Sequence, residues 1–306
     1  MKEIERILQK GKIKEDFLKE EVLCNFLVTR ERKKLWGVLL DMLLEIDDVC
    51  KKHQLTYFLE AGTLLGAIRH KGFIPWDDDI DIFMPRKDYD QFVKLSDEFP
   101  HPYFLQTPYT DPEYYYMPAR LRNSNTTGVV EMFAYQNFNQ GAWLSIFPLD
   151  NWEEEGGEER FEYIKSLIIE NSTYMRMTNP HLSEKDQIRV KNHSGRHPLE
   201  IYEEIQRLAQ QFNSQSTKYI AAAVSAAISY KRKLWYAEDF SSTIEWDFEG
   251  FKFPIPVGYD RFLKIMYGDY MQFPPVAERG HKHDGIIFNA DIPYKEFLET
   301  YRKERQ

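Results

Sequence analysis

A short acidic stretch constrains what this chain can fold into more than any other feature. Residues 79–84 read Asp-Ile-Asp-Ile-Phe-Met, so carboxylates and apolar side chains alternate as on a half-buried strand. Such alternation puts Asp79 and Asp81 on one face of the strand, about 7 Å apart. Two carboxylates this close repel each other, and a divalent cation between them removes the conflict. The stretch therefore predicts a strand that carries a metal site for phosphoryl transfer.

Two other acidic motifs share part of this spacing. Asp77, Asp79 and Asp81 have the first three ligand positions of an EF-hand calcium loop, but Ile82 and Asp88 stand where that loop requires Gly and Glu. Phosphatases of the haloacid dehalogenase type place Asp-x-Asp after an apolar strand, whereas Pro-Trp-Asp-Asp precedes the pair here. A solvated acidic turn would not alternate with isoleucine and phenylalanine. The metal site is the interpretation that we keep.

Composition limits the class of protein. The chain has 306 residues, 42% of them hydrophobic and 29% charged, which is typical of a folded soluble protein. Its net charge of -9 disfavours a nucleic-acid partner, because such proteins usually carry a basic face. Neither Cys24 nor Cys50 belongs to a CxxC pair, and no apolar leader or membrane-length apolar run is present. We expect a cytoplasmic protein without a transmembrane segment.

Hydrophobic periodicity predicts a mixed order of elements, which indicates an α+β fold. An amphipathic helix is expected over 30–54, with Thr29 as its N-cap. Strands are predicted over 56–60, 79–84, 103–106, 117–122, 126–130 and 141–147. Further helices are predicted over 64–69, 86–98, 158–178, 199–219, 258–267 and 294–305, with a hairpin over 240–256. The alanine-rich run 219–230 is too short to cross a bilayer, and we interpret it as a packed helix.

A glycine turn lies upstream of the acidic pair. Ala61-Gly62-Thr63 opens a short predicted helix, where backbone N–H groups and the threonine hydroxyl can hold a phosphate. A glycine turn followed by Asp-hydrophobic-Asp is the layout of nucleotidyltransferases. The combination predicts a site for nucleotide phosphates at Gly62 and Thr63.

Longer segments carry a more specific signal. Residues 61–70 read Ala-Gly-Thr-Leu-Leu-Gly-Ala-Ile-Arg-His, and residues 72–81 read Gly-Phe-Ile-Pro-Trp-Asp-Asp-Asp-Ile-Asp. With 120–123, 146–150 and a block that runs from 258 to 281, they resemble the LicD family of phosphotransferases, distant relatives of fukutin and fukutin-related protein. The resemblance implies a nucleotidyltransferase-like mixed sheet core with flanking helices.

The order of predicted elements, together with the segments that resemble the family, suggests a division of the chain into four parts. Residues 1–54 would form a helical region packed on the core, and 55–152 the catalytic core. Residues 153–240 would be a helical segment, and 241–306 a C-terminal block that completes the site.

The family's activity supplies the functional expectation. The resemblance implies transfer of phosphocholine from CDP-choline to a hydroxyl of a cell-surface glycan precursor, of the teichoic acid or lipopolysaccharide type. Other members use other CDP-alcohols, so CDP-glycerol and CDP-ribitol are alternative donors. Asp79 and Asp81 would hold two Mg²⁺ ions, with Mn²⁺ as an alternative. A lipid-linked acceptor would bring the protein to the inner face of the membrane.

The third carboxylate of the family is the open point. Many relatives read Asp-Ile-Phe-Pro-Leu-Asp, and Ser145 replaces the first of these aspartates. Asp150 is the first choice for the missing catalytic carboxylate, although Pro148 is expected to interrupt the strand before it. Glu131 and Asp77 are alternatives. Ser145 also leaves open a catalytically degenerate protein that only binds nucleotide or glycan.

The remaining expected site residues contact substrate. Arg120 and Arg122 share one strand face and would clamp a diphosphate. Trp76 either stacks on a base or quaternary ammonium or fills the core. The full set of expected substrate-contacting residues is Gly62, Thr63, Arg69, Trp76, Arg120, Arg122, His281 and His283.

Overall fold

The computed structural model of the chain describes residues 2–225, 234–280 and 285–305, and it confirms the predicted α+β class. The α-helices are α1 Glu3–Gln9, α2 Arg30–His53, α3 Ala61–His70, α4 Arg86–Phe92, α5 Gly157–Tyr174, α6 Glu184–Lys191, α7 Pro198–Ala209, α8 Tyr259–Tyr267 and α9 Tyr294–Lys303. The strands are β1 Glu21–Leu23, β2 Phe26–Val28, β3 Phe58–Leu59, β4 Asp81–Pro85, β5 Tyr103–Gln106, β6 Ala119–Asn123, β7 Thr127–Val130, β8 Ala142–Trp152, β9 Tyr219–Ala221, β10 Trp235–Tyr236, β11 Thr243–Phe248, β12 Phe251–Pro256 and β13 Ile286–Asn289.

The long strand β8 organises the main mixed sheet. Strand β4 lies parallel to β8 on one side, and β3 continues the sheet beyond it. On the other side β8 pairs with β6 over its first half and with β9 over its last residues, both antiparallel. Strands β5 and β10 extend those two branches. Among the described strands, β4 and β8 form a parallel pair, and this pairing places the start of β4 beside the middle of β8.

Strand β8 runs through Pro148, so the expected interruption before Asp150 was wrong. The pairing with β6 ends at Ile146, and the pairing with β9 begins at Asp150. Pro148 falls in the gap between these two pairings. A residue without an N–H interrupts no ladder on that side of the strand, which is the setting in which a sheet tolerates proline.

The two faces of β8 have different surroundings. Leu144 and Ile146 point into the main core, which also contains the apolar side of α2. Helix α2 begins where predicted, since the Thr29 hydroxyl accepts a hydrogen bond from the N–H of Arg32 at 3.3 Å. The opposite face of β8 presents Trp143, Ser145 and Phe147 to a cavity. The pleat of one strand thus separates the core from the candidate site.

The segment 153–240 is only partly helical. Helices α5 and α7 pack together through a second apolar cluster that includes Phe161, Ile164 and Ile205. The alanine-rich run was predicted as a helix, and this was wrong for its first residues, because β9 pairs with the end of β8 and places Ala221 opposite Asp150. There β9 supplies the backbone partners that β6 no longer provides. Residues 226–230 of the run lie outside the described residues.

Smaller elements flank the sheet. The predicted hairpin is present as β11 and β12, and the indole of Trp246 donates to the carbonyl of Ala67 in α3 at 3.1 Å. Strand β13 pairs with β7 and adds a wall beside β8, where the rings of Trp143 and Phe288 lie 5.2 Å apart. Among the described helices, none is both long enough and apolar enough to cross a bilayer.

Candidate functional site

The start of β4 is held by the start of α3. The N–H of Asp81 donates to the hydroxyl of Thr63 at 3.0 Å, and the carbonyl of Asp81 accepts from the N–H of Glu60 at 3.0 Å. Ile80, between the two predicted metal ligands, is fully buried. The apolar anchor and the two hydrogen bonds fix the direction in which Asp79 and Asp81 point. Strand β4 begins only at Asp81, so Asp79 lies in the preceding loop rather than in the strand.

Helix α2 holds the loop from behind. The carbonyl of Asp77 accepts hydrogen bonds from the guanidinium of Arg32 at 2.7 Å and from the indole of Trp36 at 2.9 Å. Both donors are buried, and burial lowers the pKa of Arg32 although Asp78 and Asp77 oppose the shift. The acidic loop is therefore anchored to the core through its backbone.

A cavity of about 430 Å³ opens beside this loop. Three carboxylates from the α3–β4 region line it, those of Glu60, Asp79 and Asp81. Aromatic side chains form much of the remaining wall, namely Tyr116, Phe133, Trp143, Phe147 and Phe288. Helix α5 and the residues after it add Ile168, Ser172 and Arg176. The arrangement offers an acidic part and an aromatic part to one ligand.

Strand register brings three polar residues into one row. Ser145 is the β8 partner of Asp81 on one side and of Arg120 on the other. Neighbouring strands lie roughly 4.8 Å apart, so the three residues stand side by side on the cavity face. The row places Ser145 directly next to Asp81, and Asp79, Asp81 and Arg120 all line the cavity.

Arg120 is the predicted basic residue that reaches the cavity. Its side chain is only 8% exposed, and its guanidinium carbon lies 4.3 Å from the ring centre of Trp143 and 4.9 Å from that of Tyr116. Among the described residues its buried Nε–H has no hydrogen-bond partner. A buried N–H donor without a partner is costly, so this atom is suited to an anionic ligand.

Arg122 does not join Arg120 in the cavity. It is 1% exposed and donates to the side-chain carbonyl of Gln106 at 2.6 Å and to the backbone carbonyl of Gly141 at 2.7 Å. Complete burial, reinforced by the positive charge of Arg120, lowers the pKa of Arg122 to about 9. Of the two arginines expected to form the clamp, Arg120 lines the cavity and Arg122 does not, because Arg122 is committed to the interior.

Asp150 is also committed to the interior, which corrects its expected catalytic role. It is 0% exposed, and both its oxygens accept from the guanidinium of Arg86, at 2.7 and 2.8 Å. Asn213 donates a further hydrogen bond at 2.6 Å. Burial alone would lower the pKa of Arg86, but the Asp150 carboxylate raises it above its ordinary value. Asp150 faces away from the cavity because it sits on the other side of the β8 pleat from Ser145.

The glycine turn at Gly62 packs against the side chain of Asp77, whereas a donor phosphate was the expected neighbour. A Cβ added to Gly62 would lie 2.7 Å from a carboxylate oxygen of Asp77, so the glycine leaves room for that side chain. The Thr63 hydroxyl is 6% exposed and accepts from Asp81 as described above. Both residues shape the acidic loop, and a contact of either with donor phosphates stays a prediction.

Two expected substrate contacts, Arg69 and Trp76, are engaged outside the cavity. Arg69 donates to the carbonyls of Tyr270 and Gln272 at 2.8 and 3.0 Å. Trp76 is 2% exposed and packs among aromatic rings that include Phe273, which supports the core-filling alternative. Neither lines the cavity beside Asp79. The expected contacts His281 and His283 lie outside the described residues.

Three residues near the acidic loop escaped the sequence analysis. Glu60 precedes the glycine turn, and an acidic residue at the end of a strand beside that turn was an available signal. Arg176 follows α5 in a stretch without a motif, and pairs with Asp186 at 2.6 Å. Desolvation and the carboxylates of Glu60, Asp77, Asp79 and Asp81 raise the pKa of Tyr267, although the residue as a whole is 37% exposed.

The donor set of the loop fits a hard divalent cation. Within the described residues, one oxygen from each of Asp77, Asp78 and Asp79 lies within 4.8 Å of the others. Asp81 and Glu60 add carboxylates on the cavity side. Mg²⁺ and Mn²⁺ prefer such all-oxygen ligands, whereas thiolate and imidazole would favour other metals.

Comparison with known proteins gives a family and a named relative. Residues 54–151 match the family described as "LicD/FKTN/FKRP, nucleotidyltransferase domain". The chain is 27% identical over 264 residues to "Lipopolysaccharide cholinephosphotransferase LicD" of Haemophilus influenzae, which covers 80% of this chain and 93% of that protein. Uncharacterized proteins of Rickettsia typhi and Rickettsia prowazekii are 38% and 36% identical over 61 residues, 20% of this chain in each case and 20% and 23% of those proteins.

Proposed function

We infer from the membership of this chain in the LicD family, carried by residues 54–151, that it transfers phosphocholine from CDP-choline to a hydroxyl of a cell-surface glycan. The name of the Haemophilus influenzae relative supports the transferred group and the class of acceptor. The CDP-linked donor and the metal ions belong to the proposal, and the cavity beside Asp79 and Asp81 supports them.

The aromatic wall of the cavity is the observation that supports choline as the donor alcohol. Tyr116, Trp143 and Phe288 line the same cavity as the acidic residues. A quaternary ammonium is attracted to the faces of aromatic rings and to nearby carboxylates. The rings of Tyr116 and Trp143 already attract the guanidinium of Arg120. Glycerol and ribitol carry no charge and would gain nothing comparable from these rings.

The phosphate end of the donor would meet Arg120 and the acidic loop. The Nε–H of Arg120 would donate to a diphosphate oxygen, beside Ser145 and Asp81 in the same row. Asp79 and Asp81 would hold the two Mg²⁺ ions, or Mn²⁺. When bound, the ions supply positive charge that offsets the carboxylates and the charge that develops on the phosphates.

The reaction is a single displacement at phosphorus. The oxygen of an acceptor hydroxyl forms a bond to the phosphorus that carries choline, and its proton passes to a carboxylate of the cavity. The bond from that phosphorus to the bridging oxygen breaks, and CMP leaves with the electron pair. The chain's contribution is to position the donor through Arg120 and the rings, and to exclude water with the apolar wall.

The acceptor would be a precursor of lipopolysaccharide or teichoic acid type, and a lipid-linked form would place the enzyme at the inner face of the membrane. We keep one second function, because Ser145 stands where many relatives have a carboxylate. A degenerate relative would bind nucleotide or glycan and release no CMP.

The test measures CMP release from CDP-choline with Mg²⁺, using purified lipopolysaccharide and purified teichoic acid as acceptors. CDP-glycerol and CDP-ribitol serve as competing donors. The proposal expects CMP release that requires both Mg²⁺ and acceptor, with CDP-choline preferred. Donor binding without CMP release with either acceptor would instead support the degenerate binder.

A matched pair of variants tests the aromatic wall. Phe288→Leu should raise the KM for CDP-choline roughly 3- to 30-fold and leave that for CDP-glycerol unchanged, the range expected for loss of a cation–ring contact. Phe251→Leu, in the β11–β12 hairpin away from the cavity, is the control. An equal effect of Phe288→Leu on both donors would contradict choline recognition by the rings.

A further inference from the structure

Glu60 stands at the junction of β3 and α3. It follows the last residue of β3 and is the N-cap residue of α3. Its side chain is 4% exposed, and its N–H is tied to the carbonyl of Asp81 at 3.0 Å. The backbone bond keeps the Glu60 carboxylate in the neighbourhood of Asp81.

The other candidates for a third carboxylate are placed elsewhere. Asp150 is occupied by Arg86 inside the fold. Glu131 accepts from the hydroxyl of Tyr301 at 3.1 Å and does not line the cavity. Within the part of the chain that the structure describes, the cavity is lined by the carboxylates of Glu60, Asp79 and Asp81.

A second feature of the same cavity indicates what kind of ligand it could bind. Arg120 lines the cavity, is more than nine-tenths buried, and keeps its Nε–H without a partner among the described residues. A buried N–H donor of this kind is suited to an anion, whereas carboxylates that line the same cavity are suited to cations. A phosphate group that arrives with divalent ions satisfies both.

We propose that Glu60 is a metal ligand of this site and supplies the carboxylate that position 145 lacks. The inference rests on the proposed function, because it assigns a ligand to the same metal site. Ser145 is the direct strand partner of Asp81, so a carboxylate at position 145 would lie beside Asp81. Glu60 approaches Asp81 from the α3 side instead. The site thus obtains its third acid from the residue before the glycine turn rather than from β8.

The experiment measures Mn²⁺ binding by electron paramagnetic resonance, with neither donor nor acceptor present. Four proteins are compared: the wild type, Glu60→Gln, Ser145→Asp and the double variant. Glu60→Gln should raise the Kd for Mn²⁺ about 10- to 100-fold. Adding Ser145→Asp should restore the affinity, because the aspartate again provides a carboxylate next to Asp81.

Controls separate a ligand from a structural residue. Glu131→Gln, an equivalent amide exchange outside the cavity, should bind Mn²⁺ as the wild type does. A thermal melt without metal should show that Glu60→Gln is folded. Unchanged Mn²⁺ affinity in Glu60→Gln, or a loss that Ser145→Asp does not restore, would overturn the assignment of Glu60.

Failure of the Glu60 assignment and failure of the transferase proposal can be distinguished. Binding of Mn²⁺ that depends on Glu60, in a protein that releases no CMP from CDP-choline, would support the ligand and reject the transfer. Release of CMP together with Mn²⁺ binding that ignores Glu60→Gln would reject the ligand and support the transfer.

Discussion

Two acidic regions of one sheet behave in opposite ways. At the end of β8, Asp150 is fully buried, and its carboxylate is matched oxygen by oxygen with the guanidinium of Arg86. At the start of β4, Asp79 and Asp81 are half-buried and share a cavity with Glu60. In the first region a buried ion pair balances the charge, whereas in the second region three carboxylates line one cavity. The first region stabilises the protein, whereas the second is arranged for a ligand.

The two arginines of β6 repeat this difference over a distance of two residues. Arg122 donates to Gln106 and Gly141 in the interior, and Arg120 keeps a buried donor without a described partner beside the cavity. Residue type and strand face are the same in both cases. What separates them is whether the surrounding backbone offers carbonyl groups, so substitutions should affect stability at one position and ligand binding at the other.

The largest effect is expected from breaking the balanced pair. Asp150→Asn leaves the buried Arg86 without its counter-charge and should lower the free energy of unfolding by about 3 to 5 kcal/mol. Urea unfolding measures this change. CMP release per folded molecule should be unchanged. A stable Asp150→Asn protein that released no CMP would instead show that Asp150 has a catalytic role.

The opposite variant removes an acid from the cavity. Asp81→Asn should reduce CMP release at least about 10²-fold, because the residue is proposed to hold a metal ion at the reacting phosphate. Stability should be equal or higher, since repulsion with Glu60 and Asp79 is relieved. Turnover and urea unfolding are measured on the same preparation. Retained turnover would reject the metal assignment.

A smaller effect distinguishes the arginines. Arg120→Lys should raise the KM for CDP-choline about 10-fold with little change in stability, because an ammonium loses the fixed Nε–H. Arg122→Lys should instead lower the free energy of unfolding by about 1 to 3 kcal/mol, since one ammonium cannot replace both buried contacts. Equal effects of the two variants on KM would show that both arginines reach the donor.

The smallest effect concerns the glycine turn. Gly62→Ala brings a Cβ to 2.7 Å from the Asp77 carboxylate, which must shift. We expect a loss of about 1 kcal/mol in the free energy of unfolding together with weaker Mn²⁺ binding. Gly280→Ala is the control, because no atom of the described residues lies within 4 Å of its added Cβ. Unaltered Mn²⁺ binding in Gly62→Ala would mean that Asp77 is irrelevant to the metal.

Local sequence patterns predicted most helices and strands well, because capping and hydrophobic periodicity involve residues that are close together in the chain. The N-cap at Thr29 and the apolar periodicity of α2 lie within one helix. The alternation at 79–84 identified the faces of β4, although the strand begins two residues later than predicted. The first part of the alanine-rich run failed, because its backbone partner is the end of β8, far away in the chain.

By itself, the sequence determined that a glycine turn and an Asp-x-Asp strand belong together, and that Asp79 and Asp81 face the same way. Alternation and turn chemistry are local, so one sequence suffices to read them. Only the tertiary structure decided which other charged residues join them. Asp150 and Arg122 point into the interior, while Glu60 and Arg120 reach the cavity. Which charged residues reach the cavity depends on strand register and on which distant groups neutralise each buried charge. Neither can be predicted from the residues next to it in the sequence.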